Sequence, residues 1–268
     1  PSDATSKAER LIEEEKVDVI TGTVSSGVTL AVGQIAERSG ALLVTTVSFS
    51  TAITGAKCSP NVFRVNPNAA MQSNALAAWL AKEKPGASIF YLGPDYEMGR
   101  NTVEEFKRVA EAEGMETVGE VYAPLDSSDF SQYLGQVRAA RPDVFYTSTG
   151  GNDSVRLLTQ LDEYGLRESF LAIGASSAVT PATVGAMGTA AEGCVTGVGY
   201  SPLIVTPENQ AFVETFRAAY QAEPELYGAD SYGFIAFYKA AVEKAESSDP
   251  NAVAEAMLDL EWDTPQGR

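Results

Sequence analysis

Histidine is absent from the 268 residues. That removes Ser-His-Asp and Cys-His catalysis and every histidine-based metal site. Cysteine occurs only at Cys58 and Cys194, with no CxxC and no metal-ligand spacing. Two such thiols are compatible with a disulfide in an oxidising compartment, and equally with two unpaired small core residues. Long apolar runs are missing as well. The longest, such as 87–92, have strand length and fall far short of the roughly 18–20 residues that span a bilayer, so the chain reads as a soluble protein. Positive charge is scarce: 19 Lys and Arg stand against 36 Asp and Glu, a formal charge of −17. The basic residues are scattered, as at 82–84 and 138–141, and form no stripe. Nucleic acid and anionic membrane surfaces are therefore excluded as partners. The acidity reads as a solvated surface.

Against these absences, 44% of the residues are apolar and 21% charged, enough to bury a core in one large α/β domain or two domains of roughly 130 residues each. The first residues, "PSDATSKAERLIEEEK", already read as the start of a helix, without initiator Met or signal peptide, and the last, "WDTPQGR", read as a turn. The expectation is a piece of a longer polypeptide.

Periodicity and breakers give a regular order. A helix over 4–15, with Ala8, Leu11 and Ile12 inward, precedes a strand at 17–22. A helix over 26–39 ends at Gly40, and strands follow at 41–47 and 61–67. Helices at 69–83, 99–113, 129–139, 153–164 and 181–187 then alternate with strands at 87–92, 116–123, 143–148, 169–173 and 193–199. Such alternation predicts βαβ units and mainly parallel sheets. After Ser201 the helices 207–221, 229–246 and 250–258 come without strands between them, as a layer returning to the earlier sheet would.

The stretch "TGTVSSGVTLAVG" (21–33) turns from strand into helix. A phosphate loop would need GxxxxGK[ST], and no lysine follows. A nucleophile elbow would need GxSxG and a base. What remains is a helix N-terminus that offers N–H groups, partial positive charge and the hydroxyls of Ser25 and Ser26 to a polar group, or hydroxyls that merely cap the helix.

Seven stretches in order, "AERLIEEEKVDVITGTVSSGVTLAV", "CSPNVFRVNP", "GPDYEMGRNTVEEFK", "DSSDFSQYLGQVRAARPDVFYTS", "AEGCVTGVGYSP", "NQAFVETFRAAY" and "YGADSYGFIAFYKAAVEKA", resemble the type I periplasmic solute-binding proteins of ABC importers, in the branched-chain amino-acid, amide and urea receptor group. The resemblance covers nearly the whole chain, which lacks the family's opening strand–helix–strand and its closing crossover segment. It implies an α/β, two-lobed periplasmic-binding-protein type I fold, each lobe a mainly parallel sheet flanked by helices, with a ligand cleft between the lobes. Lobe one would comprise 1–67 and 203–268 and lobe two 68–202, with crossovers near 66–68 and 200–203.

On that resemblance, Ser25, Ser26 and Gly27 hold the ligand's carboxylate or polar head. Ser48 and Ser50 contribute hydroxyl or backbone contacts, and Phe49 either stacks on the ligand or packs inward. Across the cleft, Tyr96 either reaches the ligand or packs on the next helix, and Thr149 and Gly150 line the site, with Asp153 as an N-cap. The loop 173–180 usually carries a carboxylate in amino-acid receptors and has Ser176 and Ser177 here. A buried ammonium without a counter-charge is costly, so an α-amino-acid ligand would need Asp95, Asp153 or Asp230. A neutral amide, a carboxylate or an aromatic acid fits better.

The implied function is non-enzymatic: capture of a small polar solute by cleft closure and delivery to a membrane permease. No cofactor and no nucleic-acid partner are implied. This segment does not insert into a membrane, and its place is the periplasm or the cell exterior, as a surface lipoprotein in some hosts. The alternatives are the same fold as the sensing domain of a receptor or amide-type regulator, and, far behind, an α/β enzyme using Ser and Asp/Glu groups.

Overall fold

A computed structural model describes residues 2–267. Its contacts divide the chain into two compact units, Pro1–Pro67 with Gly199–Arg268, and Asn68–Val198.

In the first unit, helix α1 (Ser2–Glu13) leads to strand β1 (Val19–Gly22), helix α2 (Ser26–Ser39), strand β2 (Leu42–Thr45) and strand β3 (Val62–Arg64). The three strands form one parallel sheet in the order β1-β2-β3. Buried on both faces, β2 reads as an unbroken apolar run, as parallel strands do. Its alternate side chains divide the core. Leu43 meets Ala8, Val32 and Ala36 of α1 and α2. Leu42 and Val44 meet Phe234, Ala241, Val253 and Met257, which belong to helices α9 (Leu226–Ala245) and α10 (Pro250–Leu258). The helices at the end of the sequence thus cover the face that the first two leave bare. Helix α8 (Pro207–Tyr220) joins this layer through Phe212, which sits 4.6 Å from the ring of Tyr232.

The second unit alternates helix and strand: α3 (Ala69–Glu83), β4 (Ser88–Pro94), α4 (Glu97–Ala112), β5 (Glu116–Ala123), α5 (Ser131–Ala140), β6 (Val144–Thr147), α6 (Gly151–Glu163), β7 (Leu171–Gly174), α7 (Pro181–Met187) and β8 (Val195–Thr196). All five strands are parallel, in the order β5-β4-β6-β7-β8. Ile89, Tyr91, Val144 and Tyr146 face α3 and α4, where Phe106 stacks on Tyr146 at 4.2 Å. Phe90, Leu92 and Phe145 face α5 and α6 through Leu134, Val137, Leu157 and Leu161.

Most elements fall within two or three residues of the periodicity. The strand expected over 193–199 does not form at that length: only Val195 and Thr196 pair. Gly193, Gly197 and Gly199 bring no side chains to pack, and glycine weakens a strand interior. Gly199 instead lets the chain pass against the ring of Pro67, where a Cβ would overlap it. Cys58 is exposed and Cys194 half-buried, and both are free thiols.

Gly99 packs closely where β4 hands over to α4. A Cβ there would overlap the Pro94 carbonyl oxygen and ring, so only glycine allows α4 to start tight against the end of β4. Gly99→Ala is expected to destabilise the protein by about 1–3 kcal/mol, read as a lower midpoint in urea unfolding with an unchanged m-value; an unaltered midpoint would show that the loop yields freely.

Candidate functional site

Parallel pairing sets Gly22 beside Thr45 and Thr45 beside Arg64, so the chain leaves all three strands of the first unit at one edge. That edge is where open α/β sheets bind ligands. Leaving β1, Gly22 and Thr23 both take positive φ, 104° and 62°. A β-branched residue in this region is strained, and its contacts account for it. The Thr23 carbonyl accepts from Ser48 Oγ at 2.5 Å, and Thr23 Oγ1 accepts from Thr29 Oγ1 at 2.9 Å.

The loops after β1 and β2 are laced together. Ser26 Oγ, wholly buried, accepts from the Ser50 N–H at 3.1 Å. Ser48 is bonded at every polar group: its N–H to Thr45 Oγ1, its hydroxyl to Thr23, and its carbonyl to Asn66 Nδ2 and Arg64 Nη1. Ser48 therefore clasps the two loops together. Ser50 is held likewise, its carbonyl accepting from Arg64 Nη1 at 3.0 Å and its hydroxyl from the Ala52 N–H. The side chain of Phe49 is buried, 1% exposed.

Two sets of donors remain. The first i→i−4 bond of α2 runs from Thr29 N to Ser25 O at 2.9 Å, so the N–H groups of Ser26, Gly27 and Val28 lie in the turn that lacks intrahelical partners. Ser25 occupies the N-cap position but makes no side-chain cap. The second donor is the Phe49 N–H, which has no hydrogen-bond partner among the described residues. Buried N–H groups without partners are rare in folded proteins.

In the second unit, β4, β6 and β7 are neighbours, so the loops after them adjoin. Thr149 Oγ1 lies 2.9 Å from Ser154 Oγ and 3.0 Å from Thr147 Oγ1. Ser177 Oγ donates to the Thr149 carbonyl at 3.0 Å, and Gly150 lies so close that a Cβ would stand 3.0 Å from that of Ser177. Ser176 donates its N–H to Gln72 Oε1 at 3.2 Å, while its buried hydroxyl has no partner among the described residues. Tyr96, half-buried at the N-cap of α4, directs its hydroxyl to Met98 Sδ at 3.6 Å.

The candidate acids are already engaged. Asp95 holds Arg100 at 2.6 Å. Asp153 is not the N-cap of α6. Gly150 is, because the helix begins two residues earlier than the sequence suggested. Asp153 instead accepts from the Asp126 N–H and pairs with Arg156 at 2.9 Å. Asp230, 1% exposed on α9, accepts from Gln266 Nε2 at 2.8 Å through one oxygen and leaves the other without a partner. No hydrogen bond among the described residues joins it to either ligand loop of its unit. Among the described residues no cluster of three or more His, Cys, Asp or Glu could hold a metal ion.

Sequence reasoning missed Arg64, Asn66, Thr29 and Gln72. The signal for Arg64 was an arginine inside the apolar run "NVFRVNP", where a charge calls for a partner.

A family model described as periplasmic binding protein matches residues 1–268. Leu/Ile/Val-binding protein homolog 8 of Brucella abortus is 26% identical over 279 residues, covering 99% of this chain and 68% of that protein. An ABC-transporter solute binding protein from R. palustris, solved with benzoate, aligns with a TM-score of 0.92 at 26% identity, over 100% of this chain and 74% of its own. A leucine binding protein from Thermotoga maritima aligns with a TM-score of 0.88 at 25% identity, over 99% and 75%.

Burial raises the Asp230 carboxyl to about 7, against a smaller opposing effect of the Gln266 hydrogen bond. A folded-state pKa above the unfolded one means that the native state binds the extra proton, so this stability is full below about pH 4 and is lost as pH rises through about 7. Asp230→Asn keeps the acceptor for Gln266 and removes the titration. It is expected to match the wild type near pH 4 and exceed it at pH 8 by up to roughly 4 kcal/mol; parallel stability–pH curves for the two proteins would refute this.

Proposed function

The chain belongs to the type I periplasmic binding protein family, and we propose that it is the extracytoplasmic solute-binding component of an ABC importer that captures a small carboxylate. On this reading the two lobes close around the solute and the closed form is handed to a membrane permease, in the periplasm or at the cell surface. Its relatives are solute-binding proteins, and binding without chemistry is the role assigned here.

The ligand class rests on the donors and charges of the loops. Benzoate and leucine, named for two solved relatives, both present a carboxylate, and leucine adds an ammonium. The donors at Ser25–Val28 and Phe49 suit a carboxylate, with the helix dipole in support, and neither loop of the first unit contains an acid. In the second unit the loop with Ser176 and Ser177 also has none, while Asp95 and Asp153 are held by arginines. An ammonium would meet no free counter-charge there and would lose several kcal/mol on burial. The single observation that carries the reading is this pairing of unengaged N–H donors with engaged acids. It favours a monocarboxylate such as an aromatic acid over an α-amino acid.

Isothermal titration of the purified chain with sodium benzoate and with L-leucine tests the reading. Benzoate is expected to bind, and Ser25→Ala to weaken it by about 10–100-fold, the equivalent of a hydrogen bond to a charged group, with the unfolding temperature unchanged. Tight binding of L-leucine with no heat from benzoate would overturn the ligand class.

A further inference from the structure

Arg64 ends β3 at the edge where the candidate ligand loops lie, level with Thr45 in the sheet register. Its guanidinium is half-buried, and no carboxylate among the described residues lies within ion-pair distance of it. Burial lowers its pKa to about 10, with no acid to offset the effect. The partners of Arg64 are instead neutral oxygens: the carbonyls of Ser48 and Ser50, each at 3.0 Å from Nη1, and Thr54 Oγ1, bonded to Nη2. Buried charges are ordinarily paired with charges. Arg64 is thus a half-buried cation held at this edge by neutral oxygens alone.

The geometry has a second part. In a trans peptide the C=O and N–H groups point to opposite sides, and no peptide bond here is cis. Drawing the Ser48 carbonyl onto the guanidinium therefore turns the Phe49 N–H away from it, and that N–H is the buried donor left without a partner. Arg64 aims this donor together with Asn66, whose Nδ2 donates to the same carbonyl at 3.1 Å, and its charge polarises the peptide.

We propose that Arg64 is the residue that makes this site select anions: its uncompensated charge, relayed through the Ser48–Phe49 peptide, is balanced only when a small monocarboxylate occupies the loops after β1 and β2. This rests on the solute-binding reading above and adds a positioning residue, one that acts through the loop without needing to touch the ligand. The charge acts over several ångströms in a partly desolvated setting, where it is worth about tenfold or more in affinity for an anion over its neutral isostere.

The test is a preference ratio, benzoate over benzamide, measured by isothermal titration on wild type, Arg64→Gln and Arg64→Lys. Arg64→Gln removes the charge and keeps a donor, while Arg64→Lys keeps the charge and loses the fork. The ratio is expected to fall about tenfold in Arg64→Gln, with benzamide affinity nearly unchanged, and to stay within about threefold in Arg64→Lys. A ratio that is the same in Arg64→Gln and wild type, whether both affinities fall together or neither falls, overturns the proposal and leaves Arg64 a structural tie. Thermal unfolding with sodium acetate against acetamide separates this from the ligand class. Stabilisation by acetate in wild type but not in Arg64→Gln supports Arg64 even if benzoate does not bind, and its absence from wild type overturns the assignment.

Discussion

In a parallel sheet every strand delivers its chain to the same edge, and the polar architecture of the first unit follows from that constraint. The register that sets Gly22, Thr45 and Arg64 abreast brings the loops 23–27 and 46–54 within hydrogen-bond reach of each other, and the second of them within reach of the Arg64 guanidinium. The Thr23 carbonyl, the Ser48 hydroxyl and the Ser26–Ser50 contact are its local consequences. None needs a long side chain to span a gap. A slip of β3 by one residue would turn Arg64 toward the opposite face, and the loop after β2 would lose its anchor.

Charge is distributed unevenly over this fold. Acids outnumber bases almost two to one in the chain, yet they are missing from the loops 23–27 and 46–54 of the first unit, and in the second unit Asp95 and Asp153 are tied to arginines. A chain of net charge −17 thus leaves the two candidate loops of its first unit free of acids. Asp230 follows the opposite logic. It is buried against neutral groups and holds its proton near neutrality, which removes a negative charge from the interior of the same unit.

The fold class was legible in the sequence because parallel strands buried on both faces are continuous apolar runs, and because Gly40, in the left-handed conformation at 76°, marks the end of α2. Boundaries failed where glycine leaves no pattern to read, as at 193–199, and at α6, where the acid of "GGNDS" looked like a cap and lies inside the first turn. Of the candidate site, the serines at the start of α2 could be placed from the strand-to-helix transition alone. That Ser26 accepts from Ser50, that Ser48 is fully engaged and that Arg64 reaches back to residues 48 and 50 could not be read. Those contacts join residues 14–24 positions apart across adjacent strands, and spacing along a chain carries no record of sheet register.

The two thiols give the protein an experimental property of its own. Cys58 lies exposed in the first unit, while Cys194 lies half-buried in the second with its ionisation pushed up to about 11 by burial. Electrophiles react with thiolates, so a maleimide dye would label Cys58 rapidly and Cys194 slowly. Sequential labelling could thus place a donor fluorophore on one unit and an acceptor on the other without altering a single residue, so that energy transfer reads the distance between the two labels.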